Sequence, residues 1–275
     1  MWIAPWGASL WTGNRTTELA MRMRFDVITL FPELFEAFKV SGVIRRAFES
    51  GQVDLRCWNP RDHAAGPYRR VDDRPFGGGP GMVMLAQPLA DCLAAIRQDR
   101  GQDRTQAPLV LFSPAGQRLN HAMVETWSAS AGGILLCGRS EGIDQRFIDA
   151  EVDHQISLGD FVVSGGEIAA MALLDAVARL QPGVLSDEAS ALEDSFHPHL
   201  NGLLDCPHYT RPEVYEGVAV PDVLLGGHHG EIARWRREQA LMATLKKRPE
   251  LLDKARSEGL LGKADEAMLK KYQAS

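Results

Sequence analysis

Five short apolar runs pace the chain: FDVITL from Phe25, VDLRCW from Val53, LVLFS from Leu109, GILLCG from Gly133 and VDHQISL from Val152. Stretches of helical spacing lie between them, at ELFEAFK after Pro32, VIRRAFESG, Leu85 to Ile96 and residues 120–129. Such alternation predicts an α/β class with a mostly parallel sheet. The third run ends at Ser113-Pro114-Ala115-Gly116, the fourth at Arg139-Ser140-Glu141-Gly142 and the fifth at Gly159. Small and polar residues at three strand ends match the tendency of these sheets to bind ligands beyond their carboxyl edge.

From Gly159 to Gly166 the chain reads GDFVVSGG and then enters EIAAMALLDAVARL. A glycine pair lets the backbone take positive φ and lets a ligand approach main-chain N–H groups, and the next helix adds those of its first turn. Ile168, Met171, Leu174 and Val177 recur at helical spacing and predict one packing face. Asp175 and Arg179, four apart, share another. An arginine at a helix C-terminus is equally well explained by that pairing and by the helix dipole, so Arg179 is not on pattern alone a ligand group.

The dinucleotide fingerprint is absent. Residues 59–82, NPRDHAAGPYRRVDDRPFGGGPGM, read as a long functional or disordered loop, but no Gly-Lys-Ser/Thr follows to make a P-loop. With 45% hydrophobic residues the 275-residue chain can bury one large or two modest cores. A formal charge of -6 excludes a global basic field, so a polynucleotide would need a local patch. Cys57, Cys92, Cys137 and Cys206 fit neither a zinc pair nor a disulfide scaffold, and reduced cytosolic thiols are expected. No run approaches the ~20 apolar residues of a membrane span. Residues 1–20 lack a signal peptide's pattern and read as a disordered extension or the product of an early assigned start.

Proline, glycine, serine and acids between Gln181 and Leu200 mark the expected domain boundary. Beyond it, LLDCPHYTRP precedes amphipathic helix from His229 with a basic stripe at Arg234, Arg236, Arg237, Lys246, Lys247 and Arg248. That stripe is a solvated face by default and a phosphate contact by alternative. His197 with His199, and His228 with His229, lack a third ligand in zinc-like order; Asp205-Cys206-Pro207-His208 reads as a turn.

The ordered set FDVITLFP, NPRD, DDRPFGGGPGM, FSPAG, LCGRSEGID, SLGDFVVSGGE, EDSF, GLLDCPHYTRP and LLGGHHGEIARWRR closely resembles the bacterial tRNA (guanine-N1-)-methyltransferases of the knotted SPOUT superfamily, from Met23 to the C-terminus. The resemblance implies a trefoil-knotted domain at 21–182, a flexible linker at 183–201 and a helical tRNA-binding domain at 202–275. It implies S-adenosylmethionine as methyl donor, magnesium dependence with unnamed ligands, a homodimer with its active site across the interface, and a cytoplasmic enzyme. The product would be 1-methylguanine immediately 3′ of the tRNA anticodon.

Position by position, Phe112, Ser113, Pro114 and Gly116 match the first cofactor loop, and Gly138, Arg139, Glu141 and Gly142 the second. Ile156, Leu158, Gly159, Phe161, Val163, Ser164, Gly165 and Gly166 match the third. Asp194 matches the family's general base and Arg179 its essential arginine. Ser195, Asp205, Tyr209 and Arg211, with Arg234, Arg236 and Arg237, would face the tRNA, and Arg69, Arg70 and Arg74 would add phosphate contacts. Ser140 and Phe161 stand where tyrosine is common in the family, and His197 to Asn201 lengthens the usual linker. Two alternatives stay open at this point: a related enzyme acting on another RNA position, and a non-catalytic nucleic-acid-binding module.

Overall fold

The computed structural model describes residues 22–101, 106–187 and 189–274. The expectation for residues 1–20 lies outside them. The chain divides into two compact units, the first ending at Leu185 and the second beginning at Ser186.

In the first unit β1 (Met23–Ile28) leads through α1 (Pro32–Lys39) and α2 (Arg45–Glu49) to β2 (Val53–Trp58). A short antiparallel pair follows, β3 (Asp72–Asp73) with β4 (Val83–Met84), and then α3 (Ala86–Arg100). The remainder alternates β5 (Leu109–Arg118), α4 (His121–Ser128), β6 (Gly132–Leu136), α5 (Gln145–Glu151), β7 (His154–Ser157) and α6 (Glu167–Arg179). Five strands form one sheet in the order β2-β1-β6-β5-β7, and all four pairings are parallel.

Both faces of the sheet are buried, as the apolar runs require. Along β5, Val110 and Phe112 join the core under α1, α4 and α6, while Leu109 and Leu111 join the core under α3 and α5. This is the period-two alternation of a strand covered on both sides. Asp26 is the polar exception: fully buried in β1, it accepts from Trp58 Nε1 at 2.8 Å and pairs with Arg24 and with Arg100 in the last turn of α3. A buried carboxylate is tolerated only when so paired. That tie explains why α3 runs four residues past the expected Ile96, to a cap at Gly101 with φ 62°.

Two expectations are corrected and one element is added. The third strand does not stop at Ser113. Phe112 and Gln117 both oppose Ile156, so residues 113–116 loop out and the strand resumes to Arg118. Residues 145–151, which no expectation covered, form α5, its first turn capped by the Asp144 carboxylate accepting from Arg146 N at 2.9 Å. The packing face of α6 is Ala170, Leu173, Leu174, Val177 and Ala178, whereas Ile168 is 54% exposed. Small alanines let α6 lie close to the sheet, which turns the helix away from the face that large residues alone would select.

The second unit contains α7 (Ala189–Leu192), a hairpin of β8 (Val214–Tyr215) and β9 (Val218–Ala219), and helices α8 (His229–Lys247), α9 (Pro249–Ser257) and α10 (Lys263–Gln273). Its core is small: Leu203, Leu241, Leu252, Ala255 and Leu269. Polar ties supplement it. Thr244, buried in α8, accepts from Leu204 N at 3.1 Å and donates to Ala240 O at 2.7 Å. No helix among the described residues is long and apolar enough to cross a membrane.

Candidate active site

A cavity of about 430 Å³ opens at the break in β5 and beyond the carboxyl ends of β6 and β7. Its volume lies within the ~300–1,000 Å³ of small-molecule pockets. From the first expected loop, Phe112, Ser113 and Pro114 line it; Gly116 does not. Gly116 instead sits against the neighbouring strand, where a Cβ would stand 2.5 Å from the backbone N of Ile156. It lets the bulge close. Gly138, Arg139, Glu141 and Gly142 of the second loop all line the cavity.

The third loop contributes Ile156, Leu158, Phe161, Val163 and Ser164, with Gly165 and Gly166 at its end. Gly159 does not line the cavity; its N–H and carbonyl are held by Ser157 Oγ at 3.2 and 3.1 Å. The glycine pair does not act through positive φ, for neither residue adopts it. Close approach is the reason for both. A Cβ on Gly165 would stand 2.3 Å from Arg139 Nε, and one on Gly166 2.7 Å from the Cys137 Cα. Gly166 N donates to Gly138 O at 3.0 Å, so the second and third loops are strapped together.

The 59–82 segment, expected as one long loop, instead contains a 3₁₀ turn at Pro60–His63 and β3, and with β4 it supports this arrangement from outside the cavity. Glu141 N donates to Met82 O at 3.0 Å, and Met84 N to Gly142 O at 2.9 Å. Gly81 lies directly against the Glu141 side chain. Tyr68 and Phe76 on the same segment are left exposed.

Ser140, which stands where the family commonly has tyrosine, lines the cavity, and so do residues with no individual expectation, among them Leu111, Ile143, Gln145, Ile148 and Val162. Gln145 and Ile148 come from α5, and their spacing of three after a capping aspartate was the signal available. Ser140 holds a left-handed φ of 57°, so its side chain is set by a strained turn rather than by a regular element. Cys137, next in sequence to Gly138, is fully buried, and burial pushes its thiol well above the ordinary range. It is an inert neutral group there.

Arg179 ends α6 in the first unit; its charge acts on exposed Asp175, whose carboxyl partial desolvation pushes upward. Asp194 belongs to the second unit, two residues after α7. Ser195 and Asp205 are brought together: Ser195 Oγ accepts from Asp205 N at 2.9 Å. Asp205 also holds His208 Nε2 at 2.7 Å, and beside it burial pushes the Cys206 thiol up to about 11. This mixed, self-bonded trio of carboxylate, thiol and imidazole does not fit magnesium, which takes hard oxygen ligands.

Tyr209 packs its ring 6.2 Å from that of Trp235, and Arg211 is exposed. Arg234 and Arg236 are exposed on α8. Arg237 departs from expectation. Its guanidinium makes a two-pronged pair with Asp265 at 2.9 Å and donates to Asn201 at 2.8 Å, which makes it a tie within the unit rather than a group offered to phosphate.

Comparison with known proteins places relatives beside this geometry. The family model described as tRNA (Guanine-1)-methyltransferase TrmD matches residues 23–254. Over 247 residues the chain is 69% identical to the tRNA (guanine-N(1)-)-methyltransferase of Albidiferax ferrireducens, covering 90% of this chain and 98% of the relative. It is 66% identical over 250 residues to that of Paracidovorax citrulli, with 90% and 98% covered. For Methylibium petroleiphilum the identity is 60% over 253 residues, with 90% and 97% covered.

Proposed function

Because this chain belongs to the tRNA (guanine-N1-)-methyltransferase family, we propose that the cavity at the break in β5 and beyond β6 and β7 holds the methyl donor and that the second unit engages the tRNA. The five-stranded parallel sheet with a separate helical unit is the knotted SPOUT architecture of that family. The enzyme uses S-adenosylmethionine to methylate N1 of guanine in tRNA. The finer target is the guanine immediately 3′ of the anticodon. A loop nucleotide can be unstacked at least cost, which that position offers.

The observation that carries the donor site is the glycine pair pressed against the second loop, where any Cβ would push the walls apart. Apolar Ile156 and Leu158 offer contact for a flat base, and the loop backbones offer polar groups to orient it. When bound, S-adenosylmethionine supplies a methyl group activated by its sulfonium.

Guanine N1, with a pKa of about 9, loses its proton to an ordinary aspartate at a cost on the order of 7 kcal/mol. Asp194 accepts that proton, and Arg179 lowers the cost by stabilising the negative charge that develops on O6. Positioning of N1 supplies much of the remaining acceleration. Arg179 and Asp194 belong to different units, and in a homodimer the knot of one copy can serve the helical unit of the other. Exposed Val162 and Ile168 near the cavity support a covered surface there.

Magnesium dependence belongs to the same proposal. The ion binds proteins through one or two carboxylates and keeps its waters, so a single acidic side chain suffices to recruit it. Loss of turnover on chelation, restored by added Mg2+, is expected; full turnover in excess chelator removes the ion.

The deciding experiment incubates the full chain with labelled donor and unmodified tRNA bearing guanine after the anticodon. Label on guanine N1, erased by replacing that nucleotide, is expected. Label on another atom or another position would overturn the assignment.

A further inference from the structure

Glu167 is a buried acid to which the donor site as described gives no task. It opens α6 directly after the glycine pair, and 1% of its surface is exposed. Its Oε1 accepts from Thr29 Oγ1 at 2.8 Å, a bond between two buried side chains 138 residues apart. Thr29 is 1% exposed and its Oγ1 also accepts from Phe31 N at 3.0 Å, so the hydroxyl is held at the end of β1. A first-turn glutamate favours a helix N-terminus, but the dipole requires neither burial nor a partner from another strand.

The second oxygen of Glu167 faces Arg139. Oε2 stands 3.0 Å from Arg139 Nε in an ion pair that is not aligned as a hydrogen bond, and both buried atoms lack any hydrogen-bond partner. The Phe31 ring lies 4.4 Å from the guanidinium carbon. On the cavity side, Arg139 reaches the carbonyl and hydroxyl of Ser164 at 3.4 and 3.5 Å. A backbone bridge between Arg139 and Gly165 runs alongside. The guanidinium therefore spans from the second loop to the third, anchored behind by Glu167 and flanked by Phe31.

We propose that Glu167 is a positioning residue for the methyl donor. Braced by Thr29, it holds Arg139 as a clasp between the loop at 138–142 and the loop at 157–166, and so sets the separation of two cavity walls. Glu167 touches no reacting atom. The inference rests on the cavity being the donor site. A carboxylate serves because the Nε of Arg139 is buried although its side chain is 22% exposed, and removing one member of such a pair penalises the other. Gly165 belongs to the same device, since any side chain there would occupy the space of the clasp.

The test uses the full-length enzyme with tRNA saturating and S-adenosylmethionine varied. The variants are Glu167→Gln, Arg139→Lys, the double variant, Thr29→Val and Thr29→Ser. Calorimetric binding of S-adenosylhomocysteine and thermal unfolding are measured for each. Glu167→Gln keeps an acceptor for Thr29 and is expected to raise KM for the donor, and Kd for S-adenosylhomocysteine, by about tenfold while kcat changes less than about threefold. The double variant is expected to be no worse than its worse parent within about threefold, because both act through one pair. Thr29→Val is expected to raise KM about threefold, and Thr29→Ser to restore it.

A folded Glu167→Gln enzyme with wild-type KM overturns the proposal, as do Glu167 and Arg139 effects that multiply, or a serine variant no better than the valine one. Should Glu167→Gln fail to fold, the two Thr29 variants decide by the same KM criterion. Failure of the wild-type enzyme to bind S-adenosylhomocysteine overturns the donor site itself, before any variant is compared.

Discussion

Gly166 lies so close to Cys137 that a Cβ added to it would stand 2.7 Å from the Cys137 Cα. Backbone cannot yield as a side chain can, and Cys137 belongs to the buried edge where β6 enters the second loop. Gly166→Ala is expected to cost about 1–3 kcal/mol, the range for forcing a methyl into packed structure. Gly165→Ala meets the Arg139 side chain first, so its thermal midpoint is expected to fall less while KM for the donor rises. Thermal denaturation beside donor titration separates the two; an equal loss of stability in both would contradict the distinction.

Asp194→Asn removes the proposed proton acceptor without entering the donor cavity. Its kcat is expected to fall by about 10²–10⁴-fold, with S-adenosylhomocysteine affinity within about twofold of wild type. Arg179→Lys keeps charge but not the guanidinium fork, and a fall of about 10²-fold in single-turnover rate is expected. Wild-type single-turnover rates would remove either residue from its role.

Arg237 and its two neighbours on α8 separate structure from recognition. Arg237→Ala leaves Asp265, whose carboxyl that arginine holds below the usual range, without its main partner. A loss of about 1–2 kcal/mol in the unfolding of the second unit is expected for this partly buried, two-pronged pair. The double variant Arg234→Ala, Arg236→Ala is expected to unfold within about 0.5 kcal/mol of wild type. It should bind tRNA more weakly and with a shallower salt slope, by about one phosphate contact per arginine removed. Filter binding across a salt series reads both quantities.

His154, at the start of β7, is held below the ordinary histidine range by burial, partly offset by Asp153. The unfolded chain then takes up a proton there more readily than the folded one. Stability from this site is present above about pH 6.5, the unfolded value, and is lost as pH falls below it toward the lowered folded value. His154→Gln is expected to flatten the midpoint-against-pH curve in that window. An unchanged slope between wild type and variant would show that His154 does not contribute.

The sheet was legible because period and composition act locally: each buried strand announced itself as an apolar run. Features that depend on contact at a distance were not. The last turn of α3 reads as polar coil until Arg100 is seen against Asp26, and the break at Pro114 and Gly116 reads as an end because a bulge and a stop share residue types. The cavity was marked by polar residues at strand ends and by the glycine pair, while the proposal that it holds the methyl donor came through motif order. Gly165 and Gly166 suggest a turn, yet their neighbours Arg139 and Cys137, which explain them, stand well over 20 residues earlier. Threading of a knot leaves no periodic trace.

The detour between Phe112 and Gln117 has an implication for how the donor site can change. Since both residues oppose Ile156, the segment between them adds no step to the register with β7. Register is otherwise unforgiving, as a slip of one residue turns every side chain over. Variation in that rim is thus insulated from the scaffold, and a redesigned rim would test new donors without asking the sheet to refold.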